Sequence, residues 1–170
     1  MNVHSLKPDS IATPRPPVSR SPLLRRDRAM LAVTILLDVA FHGGRANTVS
    51  AADIAERIGM ARRGMEPLLQ SLSRAGLLES VRGPRGGYRL GRARRDIRLS
   101  DIVQVALAEE TDPVEGPGGA LQTQVVDRLW SELDQGVQTK LEGLTLDELI
   151  RRAVAAGLRR PNAEPITFAI

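Results

Sequence analysis

The side chains of this 170-residue chain whose types and spacing could do chemistry are arginines set beside glycines. Arg62, Arg63 and Glu66 form one group, Arg82, Arg85, Gly86, Gly87 and Tyr88 a second, and Ser50 stands upstream of both. A guanidinium pairs bidentately with phosphate or with guanine, and a carboxylate accepts from cytosine, so these types suit recognition of a nucleic acid. No nucleophile, base and orienting group come together, so an enzyme is not expected. The chain has no cysteine, which removes disulfides, thiolate nucleophiles and zinc–thiolate sites. His4 and His42 carry no metal-ligand spacing, and His42 at a helix end is accounted for by the helix dipole. No metal or cofactor is expected.

Charge is distributed unevenly along the chain. Residues 1–100 hold 18 Lys/Arg against 8 Asp/Glu, and residues 101–170 hold 6 against 12, so a net +10 is followed by a net −6. A basic half of this kind suits a polyanion, because neutralising phosphates releases counterions and steers encounter, but it is equally compatible with solvated surface charge, so position along the fold decides. The longest apolar run, at 31–41, is interrupted by Thr34 and Asp38 and falls short of the roughly 20 residues that span a bilayer. A cytoplasmic protein without a membrane partner is expected.

These side chains need elements to hold them. Residues 1–22 carry five prolines among Ser, Thr and Arg and predict a disordered arm, without the apolar core of a secretory signal. Leu31, Ile35, Leu36, Val39 and Ala40 recur at helical spacing and predict a helix over 28–42. Ser50 with Asp53 three residues on, flanked by Val49 and Ile54, predicts a capped helix that stops at Gly59. After the 59–61 turn, Leu68, Leu69, Leu72 and Ala75 mark the inner face of a third helix, completing a helix-turn-helix. Residues 77–82 and 88–90, joined by a Gly-Pro-rich loop, predict a hairpin wing carrying Arg82, Arg85 and Arg89. An arginine at the tip of such a wing suits a narrow minor groove.

Beyond the wing, a short amphipathic helix over 99–108 and a Pro-Gly loop lead to a long helix over 121–142. Val125, Leu129, Leu133, Val137 and Leu141 stand four residues apart on it, and Val126 and Trp130 widen the stripe. So wide an apolar face requires a partner, and too little chain remains to supply one, so a homodimer is expected. Thr145 and Glu148 predict a capping box that opens a last helix through Ala155. The fold class is mainly α: a winged helix-turn-helix domain with a two-stranded wing and a long C-terminal dimerisation helix. Its divisions are the arm at 1–22, the DNA-binding domain at 23–108, a loop at 109–120, the dimerisation and terminal helices at 121–156, and a tail at 157–170.

The sequence LAVTILLDVA at 31–40, DIAERIG at 53–59, the segment 68–78, and VRGPRGGYRL at 81–90 resemble the Rrf2 family of winged-helix transcriptional regulators. LWSEL at 129–133 and LTLDEL at 144–149 resemble the family's dimerisation helix and the turn after it, so the resemblance spans about residues 24–152. It implies sequence-specific binding of double-stranded DNA by a homodimer, with Ser50, Arg62, Arg63, Glu66, Arg82, Arg85, Gly86, Gly87 and Tyr88 at the DNA. The implied dimer contacts are Val125, Leu129, Trp130, Leu133, Val137 and Leu141.

Two departures stand out. Where the family usually has serine, an aromatic and glutamine, this chain has Ala61, Gly64 and Pro67. An interior proline costs about 3 kcal/mol or more, so the recognition helix is expected to kink or to begin near Pro67. Cluster-binding members also carry three cysteines before the long helix; counted back from Trp130, the last cysteine and a nearby histidine ligand fall at Gln124 and Asp127. A cysteine-ligated iron–sulfur cluster is therefore not expected. The alternative reading is a degenerate winged-helix protein that acts through protein contacts, and the effector, protein or small molecule, is left open.

Overall fold

The computed structural model describes residues 26–43, 47–84, 86–108 and 118–159. The predicted arm, His4, the wing arginine Arg85, most of the loop at 109–120 and most of the tail lie outside these residues.

Helix α1 (Arg26–His42) buries Ile35, Leu36, Val39 and Ala40 of the positions that the sequence marks as apolar, together with Ala29 and Ala32, while Leu31 is half-buried at the edge of the core. Asp38 is buried on the same helix. A carboxylate there needs compensation, and Arg57 of α2 (Ala51–Ile58) supplies it with two hydrogen bonds of 2.8 Å. The Asp38 carboxylate, acting chiefly through that bond, raises the pKa of the Arg57 guanidinium. His42 completes the cluster, its Nδ1 lying 3.1 Å from Asp38 Oδ1. Helix α2 begins where predicted: the Ser50 hydroxyl accepts from the Asp53 N–H at 3.1 Å, and Val49 and Ile54 are both in the core.

For helix α3 (Arg62–Arg74) one of the two expectations, a start near Pro67, is overturned. The helix starts at Arg62, with Pro67 inside it. Met65, Leu68, Leu69 and Leu72 are buried on both sides of the proline and hold the helix through it. Pro67 removes the bond that its own N–H would have made to the Arg63 carbonyl, and its ring crowds that carbonyl; both residues are solvent-exposed, so water can satisfy it. Tertiary packing outweighs local propensity here.

Strands β1 (Leu78–Val81) and β2 (Gly87–Leu90) pair antiparallel, Ser80 opposite Tyr88 and Val81 opposite Gly87. The strands are one residue different at their ends from the sequence prediction, which leaves Arg82 in the connecting loop. Tyr88 also exchanges two backbone hydrogen bonds, 2.8 and 2.9 Å, with Val49, so the wing is anchored to the residue that precedes the α2 cap. Gly87 permits this approach, because a Cβ there would stand 2.5 Å from the Val49 carbonyl oxygen.

Helix α4 (Leu99–Ala108) packs on α1, and Arg28 Nε donates to the Ala106 carbonyl between them at 2.8 Å. A π-helical segment (Gln122–Val126) leads into α5 (Asp127–Glu142), where the sequence reading has one uninterrupted α-helix. The Gln122 amide donates to the Asp127 carboxylate at 2.8 Å, five residues on, which is the spacing of a π turn. Helix α6 (Leu146–Ala155) is capped by Thr145, whose hydroxyl accepts from the Glu148 N–H at 3.3 Å. Sequence order groups α6 with α5, but packing groups it with α1. Leu146 and Ile150 lie in the same core as the winged helix, and the 97–99 segment pairs with 144–146 through bonds of 2.9 Å.

Candidate nucleic-acid interface

The start of α2, the start of α3 and the wing meet around an open groove of about 300 Å³. Ser50, Ala51 and Ala52 line it from α2, Arg62 from α3, and Ser80, Val81, Gly86, Gly87 and Tyr88 from the hairpin. Five residues marked in the sequence therefore come together here: Ser50, Arg62, Gly86, Gly87 and Tyr88. The cap on α2 leaves the amides of Ala51 and Ala52 without intrahelical partners, and a helix start of this kind attracts anions. The sequence reading missed both alanines. The signal was available, since the two positions after a serine cap carry unbonded amides whatever their side chains.

Arg62 is 63% exposed and pairs with Glu66 across one helical turn at 3.2 Å. So exposed a pair contributes little to stability, and it can open toward a stronger anion. Helix α3 lacks a capping side chain at Ala61, so its first amides also stay open. Arg63 and Arg82 are exposed and have no side-chain partner among the described residues. Arg89, the third wing arginine in the described or neighbouring hairpin sequence, is engaged elsewhere: it grips Glu79 through bonds of 2.7 and 3.0 Å across the strands. That contact holds the Glu79 carboxyl below its ordinary range and raises the Arg89 guanidinium. The residues with cationic groups available to a phosphate are thus Arg62, Arg63 and Arg82, with Arg85 outside the described part of the wing.

The predicted dimer residues divide into two sets. Val125 (58% exposed), Leu129 (51%), Trp130 (44%) and Leu133 (41%) present a continuous apolar face to solvent. Val137 is half-buried, and Leu141 packs against Ala29, Val103 and Leu107 of its own chain. The C-terminal end of the stripe is therefore taken up within the chain, while Leu121, 79% exposed, extends its other end beyond the residues marked in the sequence.

A helix-turn-helix followed by a hairpin wing, with arginines and open helix starts around the notch between them, defines a winged-helix DNA-binding protein of the transcription-regulator class. Residues 26–152 match the Rrf2 family, described as an iron-dependent transcriptional regulator. The chain belongs to this family. The HTH-type transcriptional regulator IscR of Vibrio atlanticus is 38% identical over 125 residues, covering 71% of this chain and 70% of that protein. A putative HTH-type regulator, ORF2, of Azotobacter vinelandii is 35% identical over 133 residues, covering 76% and 80%. Among solved structures, T. potens IscR superposes with a TM-score of 0.63 at 31% identity, covering 78% of this chain and 89% of that one. CymR, the global cysteine regulator of B. subtilis, superposes at 0.59 with 29% identity, covering 74% and 94%.

The family description implies iron, and the donors available here can be tested against it. The chain has no cysteine, and at the register of the expected ligands stand Gln124, an amide, and Asp127, whose carboxylate already accepts from Gln122. Among the described residues no three His, Cys, Asp or Glu side chains gather as a metal site. This donor set does not fit a cysteine-ligated iron–sulfur cluster. No described helix is long and apolar enough to cross a membrane.

Proposed function

We propose that this chain acts in the cytoplasm as a homodimeric regulator that binds specific sequences of double-stranded DNA without a cysteine-ligated cluster. The groove carries the reading, because it joins the α2 start, Arg62 and the wing backbone at one notch. A phosphate in that notch takes the open amides of Ala51 and Ala52 and the Arg62 guanidinium once Arg62 turns from Glu66. Arg63 enters the major groove with the first turn of α3, and the wing, with Arg82 and Arg85, follows the adjacent backbone or minor groove. The exposed stripe of Val125, Leu129, Trp130 and Leu133 supports pairing of two copies, and the lack of thiolates supports control by another kind of signal.

Selection from a random duplex pool, followed by titrations at several salt concentrations, tests this reading. A two-fold symmetric motif is expected, with affinity falling steeply as salt rises. Arg62→Ala is expected to weaken every duplex alike and to reduce the salt slope by about one unit. Recovery of no motif and no salt-dependent retention would favour the alternative, a degenerate winged helix that works through protein contacts. The same preparation treated anaerobically with iron and sulfide is expected to stay colourless.

A further inference from the structure

Helix α3 buries Met65, Leu68, Leu69, Ser71 and Leu72 on one side. At about 100° per residue, the opposite direction carries Arg63, Pro67, Gln70 and Arg74. All four are exposed. The two arginines at the helix start are therefore not equivalent: Arg62 lies on the flank, lines the groove against α2 and the wing, and is tied to Glu66. At the other end of the stripe, Arg74 donates to the Ser71 hydroxyl at 3.1 Å. Between them, Arg63 and Gln70 point polar head groups outward without a side-chain partner among the described residues. They are separated by the ring of Pro67, which can neither donate nor accept at its side chain.

The chemistry of this stripe is specific. A guanidinium matches the O6 and N7 acceptors of guanine, and a carboxamide matches the N6 donor and N7 acceptor of adenine. A glutamine carries no charge, so it adds nothing to phosphate neutralisation. At an exposed position of a helix laid in the major groove, its carboxamide can donate to a phosphate or read a base edge, and only the second discriminates between sequences. We infer that Gln70 is a base-reading residue, set two turns beyond Arg63 on the outward face of α3, so that each half-site presents an adenine near a guanine. Seven residues of helix rise about 10.5 Å, so the two side chains reach different base pairs of one half-site. The inference rests on the DNA-binding reading above and adds the identity of the bases read.

The test compares wild type, Gln70→Ala and Gln70→Arg, each selected on the same random duplex pool and titrated on a duplex of scrambled sequence. Wild type is expected to select an adenine and a guanine at different positions of the same half-site. Gln70→Ala is expected to lose about tenfold preference at the adenine column, with unchanged salt slope and unchanged affinity for scrambled duplex. Gln70→Arg is expected to switch that column to guanine, an outcome that loss of packing alone does not produce. A motif selected identically by wild type and Gln70→Ala would overturn the inference and leave DNA binding intact. Failure of the wild type to bind any duplex in a salt-dependent manner would overturn both.

Discussion

The winged-helix body and the long helix α5 use similar apolar side chains to opposite ends. In the body, Ile35, Leu36, Ile54, Leu68, Leu69, Leu72, Ile102 and Leu146 are sealed against each other, and even the buried carboxylate of Asp38 has its counter-ion. On α5, not one residue is buried. Fully burying a side chain such as leucine stabilises by about 1.5–3 kcal/mol, and a solitary helix of this length is marginal in water. The body is thus complete by its own contacts, whereas α5 presents an apolar surface that no described residue covers, the face that the proposed pairing of two copies would bury. The contrast separates the side chains that complete the fold from those left for the proposed dimer.

The comparison is broken most severely by placing charge on α5. Replacing Leu129 and Leu133 with Asp is expected to weaken dimerisation by about a thousandfold or more, since each dimer would bury unpaired carboxylates. Sedimentation should then show monomers, while the body still melts cooperatively. Unchanged dimers would show that another surface pairs the copies.

The converse damage falls on the body alone. At Gly87 a Cβ has no room against the Val49 carbonyl, so Gly87→Ala is expected to cost about 1–3 kcal/mol of stability, as other overpacking does. It should also weaken all duplexes, because the wing would be pushed from the α2 start. Sedimentation of this variant should match wild type, and a variant that kept full affinity would detach the wing from the interface.

The smallest effect is expected on the outer face of the wing. Arg89 depresses the Glu79 carboxyl pKa in the folded state. Its contribution is therefore present above the unfolded value, about 4.3, and is lost as pH falls through the lower folded value. Thermal melts of wild type and Glu79→Gln should differ slightly at pH 7 and converge in strong acid. A gap that does not narrow as the pH falls would place the origin of the difference outside this ion pair.

Much of the fold was legible because its signals are local. The apolar spacing in α1, the Ser50 cap of α2 and the Thr145 cap of α6 each state an element within a few residues. What escaped depended on distant chain. Pro67 announces a helix start, and only the buried anchors around it show that α3 begins at Arg62. A four-residue period shows which face of α5 is apolar, but it could not show that Leu141 packs on Val103 and Leu107 while Leu129 remains exposed. The bridge that returns α6 to the body joins Arg98 to Thr145 and has no local signature. For the candidate interface, residue types were readable in advance, whereas their division was not: Arg62 lines the groove, Arg63 points outward, and Arg89 is occupied by Glu79.

The chain has one tryptophan and one tyrosine, and they stand at different places of interest. Trp130 lies on the uncovered face of α5, and Tyr88 bridges the wing to the α2 start. The protein therefore carries its own optical labels. Emission excited at the red edge of the absorption band comes from the long helix alone, so a blue shift on raising protein concentration reports burial of that face without any attached dye. Tyrosine emission, isolated by comparing two excitation wavelengths, comes from the wing, so the two colours would report the proposed pairing of copies and nucleic-acid binding as separate events in one cuvette.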